Sequence, residues 1–393
     1  MRPRPCRRRA LLALLALAAA GPARAGWAPD GNHLCLAPLG QTAPALASDG
    51  AGGAIAAWID SRDEDPAEVE IAIQRITASG ARPVGWKPDG NILTAWTCYK
   101  YAVTIVPDGA GGALVVWADD LCLLRQNLLA LRVTADGAPA LGWPPHGLVV
   151  APSTADQTSA AVIPDGTGGG FITWEDWRSG STMVYAQHLT GLGAAAPGWP
   201  SSGLAVCPSA GPQSLPGLAT DGAGGVFVAW QDRRGGVGDI YLPRLTAAAA
   251  PAAGWPAAGL PVCAAADNQG SPAIVADGAG GVFVAWSDHR AGTYDIYAAR
   301  VTASGELAPG WLVDGTPVCV AADDQRKPQL VTDGAGGMIG AGRTIAPRAG
   351  ISTRSASAAT PRWRRAGPPT ACRCALRPGI SSGSSWWPAP RRA

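Results

Sequence analysis

Charge is scarce in this chain of 393 residues: Asp, Glu, Lys and Arg make up 15% of it, and the formal net charge is +2. Nucleic-acid binding calls for a basic stripe, so that class of partner is excluded. There are four histidines (His33, His146, His188 and His289), and none stand at metal-ligand spacing. The repeated region described below has no Gly-x-Ser-x-Gly elbow, no Gly-Lys-Ser/Thr loop and no calcium-loop series of carboxylates. The sequence signatures of a serine hydrolase, a P-loop NTPase and an EF-hand are therefore missing. No apolar run after residue 25 is long enough to span a bilayer. The sequence thus implies no metal, no cofactor and no membrane span.

What is plentiful is glycine, proline and tryptophan, at 52, 35 and 16 residues. Tight turns consume the first two. Ahead of them, Arg2, Arg4 and Arg7 to Arg9 precede an apolar stretch from Ala10 to Ala20, and Ala23-Arg24-Ala25 follows. A charged region, a short apolar region and a small-x-small site in that order predict a secretory signal peptide over residues 1–25. The expected location is extracellular or periplasmic.

Asp-Gly opens a D-G-x-G-G run at Asp49, Asp108, Asp165, Asp221, Asp277 and Asp333, in steps of 59, 57, 56, 56 and 56 residues. Gly-Trp keeps the same step, with Trp27, Trp86, Trp143, Trp199, Trp255 and Trp311. Two landmarks in one register define a tandem repeat. Within the fifth unit, four runs alternate or carry β-branched and aromatic residues: 271–276, 282–286, 294–302 and 316–320. Gly, Pro or Asp bounds each of them, so they predict a four-stranded antiparallel meander. The fold expected is an all-β propeller with a period of ~56 residues. Its blades, within residues 26–340, begin near 43, 101, 158, 214, 271 and 327. Five are complete and the sixth is truncated, which predicts defective closure.

The recurrent residues have structural uses. The Asp of each Asp-Gly can hold turn amides while its glycines take positive φ. Trp58, Trp117, Trp174, Trp230 and Trp286 end the second strand and can wedge between blades. Asp-x-Arg follows at Asp60/Arg62, Asp176/Arg178, Asp232/Arg234 and Asp288/Arg290, whereas unit two reads Asp119-Asp120-Leu121. A Gln stands eight residues before the Asp-Gly, as Gln41, Gln157, Gln213, Gln269 and Gln325, with Lys100 in unit two. Cys207, Cys263 and Cys319 share one slot with Cys35. Equivalent positions on separate blades exceed the ~7 Å reach of a disulfide, so these read as buried thiols. Cys98 and Cys122 fall outside the pattern and form a candidate disulfide.

Asp277-Gly278, the strand to Trp286, Asp288-x-Arg290-x-Gly292 and Asp295-Ile296-Tyr297 resemble the TolB-type, WD-like propeller repeat. The match is good in units four and five, partial in one and three, and poor in two, which has Asn127-Leu128-Leu129. The resemblance covers residues 27–340 and implies a propeller fold rather than an activity. It also implies an exported binding or scaffolding module.

After Gly340 the repeat stops, and residues 341–393 hold ten Arg and no Asp or Glu. Joining the third base of each codon to the first two of the next, over 362–381, can give Leu-Ala-Pro-Gly-Trp-Pro-Pro-Asp-Gly-Leu-Pro-Val-Cys. The restored Trp falls at position 367 and the restored Cys at 375, each 56 after Trp311 and Cys319. The same shift over 343–357 can give Asp-His-Arg-Ala. The tail is therefore expected to be a sixth blade read out of frame, without regular structure.

Loops joining strands two to three and loops joining blades leave a meander on one rim, which gathers Asp-x-Arg and the Gln segments together. Trp177, Arg178, Arg234 and Arg290 are the candidate contact residues for a protein or carbohydrate partner. The competing reading of Asp-x-Arg is an internal clasp. Trp96, Tyr99, Lys100 and Tyr101, where unit two departs from the repeat, are further candidates. On sequence the chain reads as a secreted, non-enzymatic binding or scaffold protein with no catalytic residue. The alternatives are a glycan-directed hydrolase or lyase, and a truncated product without function.

Overall fold

The structure, a computed structural model, describes residues 26–62, 69–94, 98–120, 125–208 and 211–345, together with the backbone of 372–376. Among these residues there is no helix. Blade one comprises β1 (Gly40–Ser48), β2 (Ala54–Ser61), β3 (Glu70–Ile76) and β4 (Asn91–Ile92). Blade two comprises β5 (Lys100–Pro107), β6 (Ala113–Asp119), β7 (Asn127–Val133) and β8 (Leu148–Val149). Blade three has β9 (Gln157–Pro164), β10 (Gly170–Asp176), β11 (Met183–Leu189) and β12 (Leu204–Ala205).

Blade four has β13 (Gln213–Thr220), β14 (Val226–Asp232), a third strand split at Pro243 into β15 (Asp239–Leu242) and β16 (Arg244–Leu245), and β17 (Leu260–Cys263). Proline lacks the amide hydrogen a ladder needs, which accounts for the split. Blade five has β18 (Gln269–Ala276), β19 (Val282–Asp288), β20 (Asp295–Val301) and β21 (Thr316–Cys319). The sixth sheet holds β22 (Asp324–Thr332), β23 (Met338–Ile345) and β24 (Cys372–Leu376), so 341–345 and 372–376 join a ladder where the sequence predicts no regular structure. Every sheet is an antiparallel meander.

The first strand of each blade lies against the first strand of the next, from β1 through to β22, which makes these the inner strands of the propeller. The second strands carry the core: β6, β10, β14 and β19 are buried at every residue. Trp117, Trp174, Trp230 and Trp286 are fully buried there. An indole of roughly 150–250 Å² is worth about 4–6 kcal/mol of transfer free energy at 25 cal/mol per Å².

Each inner strand carries a bulge that its sequence does not announce. Ala43, Ala102, Ser159, Leu215, Ser271 and Lys327 all have positive φ, between 41° and 55°. The ladder with the second strand slips at this point in every blade. A non-glycine residue there costs on the order of 1–2 kcal/mol, and neighbouring blades offset part of it. Glu175 accepts the Leu215 amide at 2.7 Å and Ser287 accepts the Lys327 amide at 3.0 Å.

Candidate functional rim

The Asp-x-Arg motif forms the same construction in four blades. In blade four, Asp232 is fully buried and takes a hydrogen bond from Trp230 Nε1 at 2.9 Å. Arg234 donates from Nε and a terminal nitrogen to both carboxylate oxygens, at 2.8 and 2.6 Å. Its guanidinium lies over the Tyr241 ring at 4.0 Å. Asp60/Arg62, Asp176/Arg178 and Asp288/Arg290 repeat the paired bonds. Trp58, Trp174 and Trp286 repeat the indole bond. Arg62, Arg178 and Arg290 also reach the carbonyls of Asp89, Ser202 and Asp314, which pins the loop to the turn ahead of the outer strand. Burial alone would raise the Asp232 and Asp288 carboxyls, but their arginine and indole donors outweigh it and hold them below the usual range. Asp60 and Asp176 behave alike.

Arg178, Arg234 and Arg290 are thus engaged inside the protein, at 21–24% side-chain exposure. Trp177, between Asp176 and Arg178, is 48% exposed. On the same rim Tyr99 and Tyr101 are exposed and stack with ring centroids 6.4 Å apart. Trp96 and Cys122 lie outside the described residues. Cys98 is disulfide-bonded. Its sulfur comes within 4.8 Å of Asp119 and Asp120 oxygens, but a disulfide sulfur is no metal ligand. Lys100 Nζ also pairs with Asp119 at 3.6 Å.

The opposite rim is held by the Asp-Gly turns. Asp277 Oδ1 accepts the amides of Ala279 and Gly281, both at 2.8 Å, and Oδ2 pairs with Arg300 at 2.9 Å. Asp49, Asp108, Asp165 and Asp221 do the same with Arg75, Arg132, His188 and Arg244. Asp333 holds Ala335 and Gly337.

Sequence reasoning missed a second set of acids. The ladder places Asp239 directly opposite Asp232, Asp295 opposite Asp288 and Glu70 opposite Asp60. Opposed residues have Cβ atoms roughly 4.5–5.5 Å apart. Asp239 and Asp295 are buried, at 9% and 5% exposure. Burial, and then the neighbouring Asp232 or Asp288 charge, raises both carboxyls. The Asp232–Asp239 and Asp288–Asp295 pairs therefore each combine a carboxyl lowered by its donors with one raised by burial and its neighbour's charge. The spacing of seven residues between the two aspartates was visible in sequence, but only the ladder register makes them neighbours.

The Gln series divides at the same place. Gln157 and Gln213 accept the amides of Leu128 and Val184 and donate to Ala151 and Cys207 carbonyls. In blades four and five the outer strands β17 and β21 are longer, pairing Cys263 with Ile240 and Cys319 with Ile296. Gln269 and Gln325 turn toward the Ala266 and Ala322 carbonyls instead, and their buried Oε1 atoms have no partner.

No family model and no curated protein matches the chain. Among solved structures, it is similar to the α-L-arabinanase of Penicillium chrysogenum, at 13% identity and TM-score 0.47, over 77% of this chain and 89% of that one. It is also similar to the α-L-arabinofuranosidase of Fusarium graminearum, at 11% and 0.48, over 86% and 93%. The TolB structure of Agrobacterium tumefaciens stands at 14% and 0.38, over 65% and 73%. Likeness at this level bears on fold alone, and the propeller assignment rests on the sheets described above.

The expectation of a non-enzymatic binding or scaffold protein is corrected here. A propeller fold gives no ground for a non-enzymatic reading, since the solved structures similar to this chain in fold include an arabinanase, an arabinofuranosidase, a sialidase and a family-43 glycoside hydrolase. The absence of a catalytic motif in the repeat was also no argument against chemistry, because the acid pairs form only across strands.

Proposed function

We propose that the protein is a glycan-directed hydrolase acting from its Asp-x-Arg rim. One observation carries the reading: in blades four and five the ladder sets a buried carboxyl, Asp239 or Asp295, directly opposite a buried aspartate already clasped by arginine, and the clasped carboxyl is lowered while its neighbour is raised. Glycoside hydrolysis uses such a division, with a protonated carboxyl to donate to the leaving oxygen and an ionised one to stabilise positive charge at the sugar. Asp239 and Asp295 are the proton donors in this scheme, and the clasped charges of Asp232 and Asp288 beside them favour their protonated form. Trp177, Tyr99 and Tyr101 supply exposed aromatic faces on which a sugar ring can stack. The basic, apolar and small-residue segments of 1–25 support export, where an extracellular glycan would be met.

The test is release of reducing sugar from a panel of polysaccharides and aryl glycosides, with Asp239→Asn and Asp295→Asn beside the unchanged chain. Loss of turnover on an intact fold is the expected result. Activity in both variants undiminished from that of the parent, or none in the parent on any substrate, would remove the proposal.

A further inference from the structure

We infer that the chain leaves the reading frame of its own repeat at residue 341, and that the in-frame product carries a sixth Trp-Asp-Arg clasp beginning at position 342.

The cleft lies between blades five and six, lined by Ile296, Val318, Cys319, Leu330, Met338 and Gly342. Elsewhere the corresponding place is filled. Trp230 packs in one cluster with Val184, Val206 and Cys207, and Trp286 in another with Ile240, Val262 and Cys263. Ile296, Val318 and Cys319 are the next members of those three series, each 56 residues on. The position 56 after Trp286 is Gly342. A Cβ built there would meet Ile296 at 3.5 Å, so the glycine sits against the wall on which an indole should rest.

Joining the third base of the Ala341 codon to the GG of Gly342 gives TGG, tryptophan, when that base is T. The same shift can read Asp at 344 and Arg at 346, which are 56 after Asp288 and Arg290. The sulfur series points to the same arginine. Arg62, Arg234 and Arg290 donate to Cys35, Cys207 and Cys263, each one blade earlier, at 3.9, 3.4 and 3.2 Å. Cys319 is the next cysteine, and position 346 is where its arginine would stand.

The amino-terminal end of the described chain has the complementary form. Trp27 Nε1 donates to the Ala78 carbonyl as Trp86, Trp143, Trp199 and Trp255 donate to Ala135, Gly191, Ala247 and Ala303. Asn32 donates to Gly80 as Asn91 does to Gly137. The segment from Trp27 to Leu36 therefore occupies, against blade one, the place of a preceding blade's outer strand. In a closed six-bladed ring that blade is the sixth.

Tryptic peptides of the protein isolated from its source, read by mass spectrometry with the gene resequenced across codons 335–345, test this directly. Peptides from the shifted frame, with Trp, Asp and Arg at 342, 344 and 346, are expected. Peptides matching residues 341–393 as they stand, with a confirmed gene, would overturn it. In the recombinant chain, Gly342→Trp with Thr344→Asp and Ala346→Arg is expected to raise the melting midpoint by several degrees. An unchanged or lowered midpoint in a folded variant would show that the cleft is not a tryptophan site.

Discussion

Lys100 Nζ lies 3.6 Å from Asp119 Oδ2, with both side chains almost wholly withdrawn from solvent. Blade two has Leu121 where the other clasps have arginine, and Lys100 where they have glutamine. The two departures from the repeat are one substitution of function: the cation that neutralises the buried aspartate arrives from the inner strand instead of the loop. Lys100 also donates to the Cys98 carbonyl at 3.0 Å. Burial lowers its ammonium below the usual lysine range, against the pull of Asp119.

Removing one member of a buried pair strands the other, at a cost of about 3–5 kcal/mol. Lys100→Gln should therefore destabilise the fold by that order in urea unfolding. Adding Leu121→Arg should recover most of the loss, because it rebuilds the clasp of the other blades. A double variant no more stable than Lys100→Gln alone would refute the equivalence.

The clasp aspartates make stability depend on acid in a stated direction. Asp60, Asp176, Asp232 and Asp288 all have carboxyls held below the ordinary value of 3.8. Their stabilisation is fully present above that value and is lost as pH falls through the lower folded values. Denaturation midpoints measured from pH 6 down to pH 2 should fall most steeply at the acid end.

Asp239 and Asp295 carry the opposite sign. Their raised carboxyls leave folding unpenalised below 3.8, and that stability is lost as pH rises through their higher folded values. Asp239→Asn and Asp295→Asn should each stabilise the protein at neutral pH while abolishing the proposed turnover. The gain should shrink as pH drops toward 3.8. A variant less stable at neutral pH would show that the ionised aspartate is a structural ligand of the loop.

Each wedge tryptophan both fills space and donates to its aspartate. Trp230→Ala should cost about 3–5 kcal/mol as a core cavity. Trp230→Phe keeps most of the volume but leaves Asp232 without its indole donor, which should cost about 1–3 kcal/mol. Thermal unfolding of the two variants separates packing from the hydrogen bond.

The cysteines divide by environment. Cys207, Cys263 and Cys319 are buried thiols, and burial pushes Cys263 up to about 12. They should resist alkylation until the protein unfolds. Cys98 should remain blocked until reduction, and peptide mapping without reductant should recover it linked to Cys122. A different partner would revise the pairing read from sequence.

Sequence alone determined the period, the strand content and the structural residues, because each depends on local chemistry repeated in register. Asp-Gly turns need glycine at positive φ, second strands need continuous apolar runs, and both recur at one step. The six inner-strand bulges were not legible, since Ala, Ser, Leu and Lys at those positions carry no turn signal and only the ladder with the neighbouring strand imposes the conformation. The site was hidden for the same reason. The motif left Arg178, Arg234 and Arg290 open to two readings, outward contact or internal clasp, and tertiary packing sets them on buried aspartates. Asp239 and Asp295 looked like one half of a repeat tripeptide, and strand register sets them against a second carboxylate. A chain's own sequence specifies which groups it has. Which of them share a low-dielectric space, and so shift one another's protonation, is decided only when strands far apart along the loop are brought side by side.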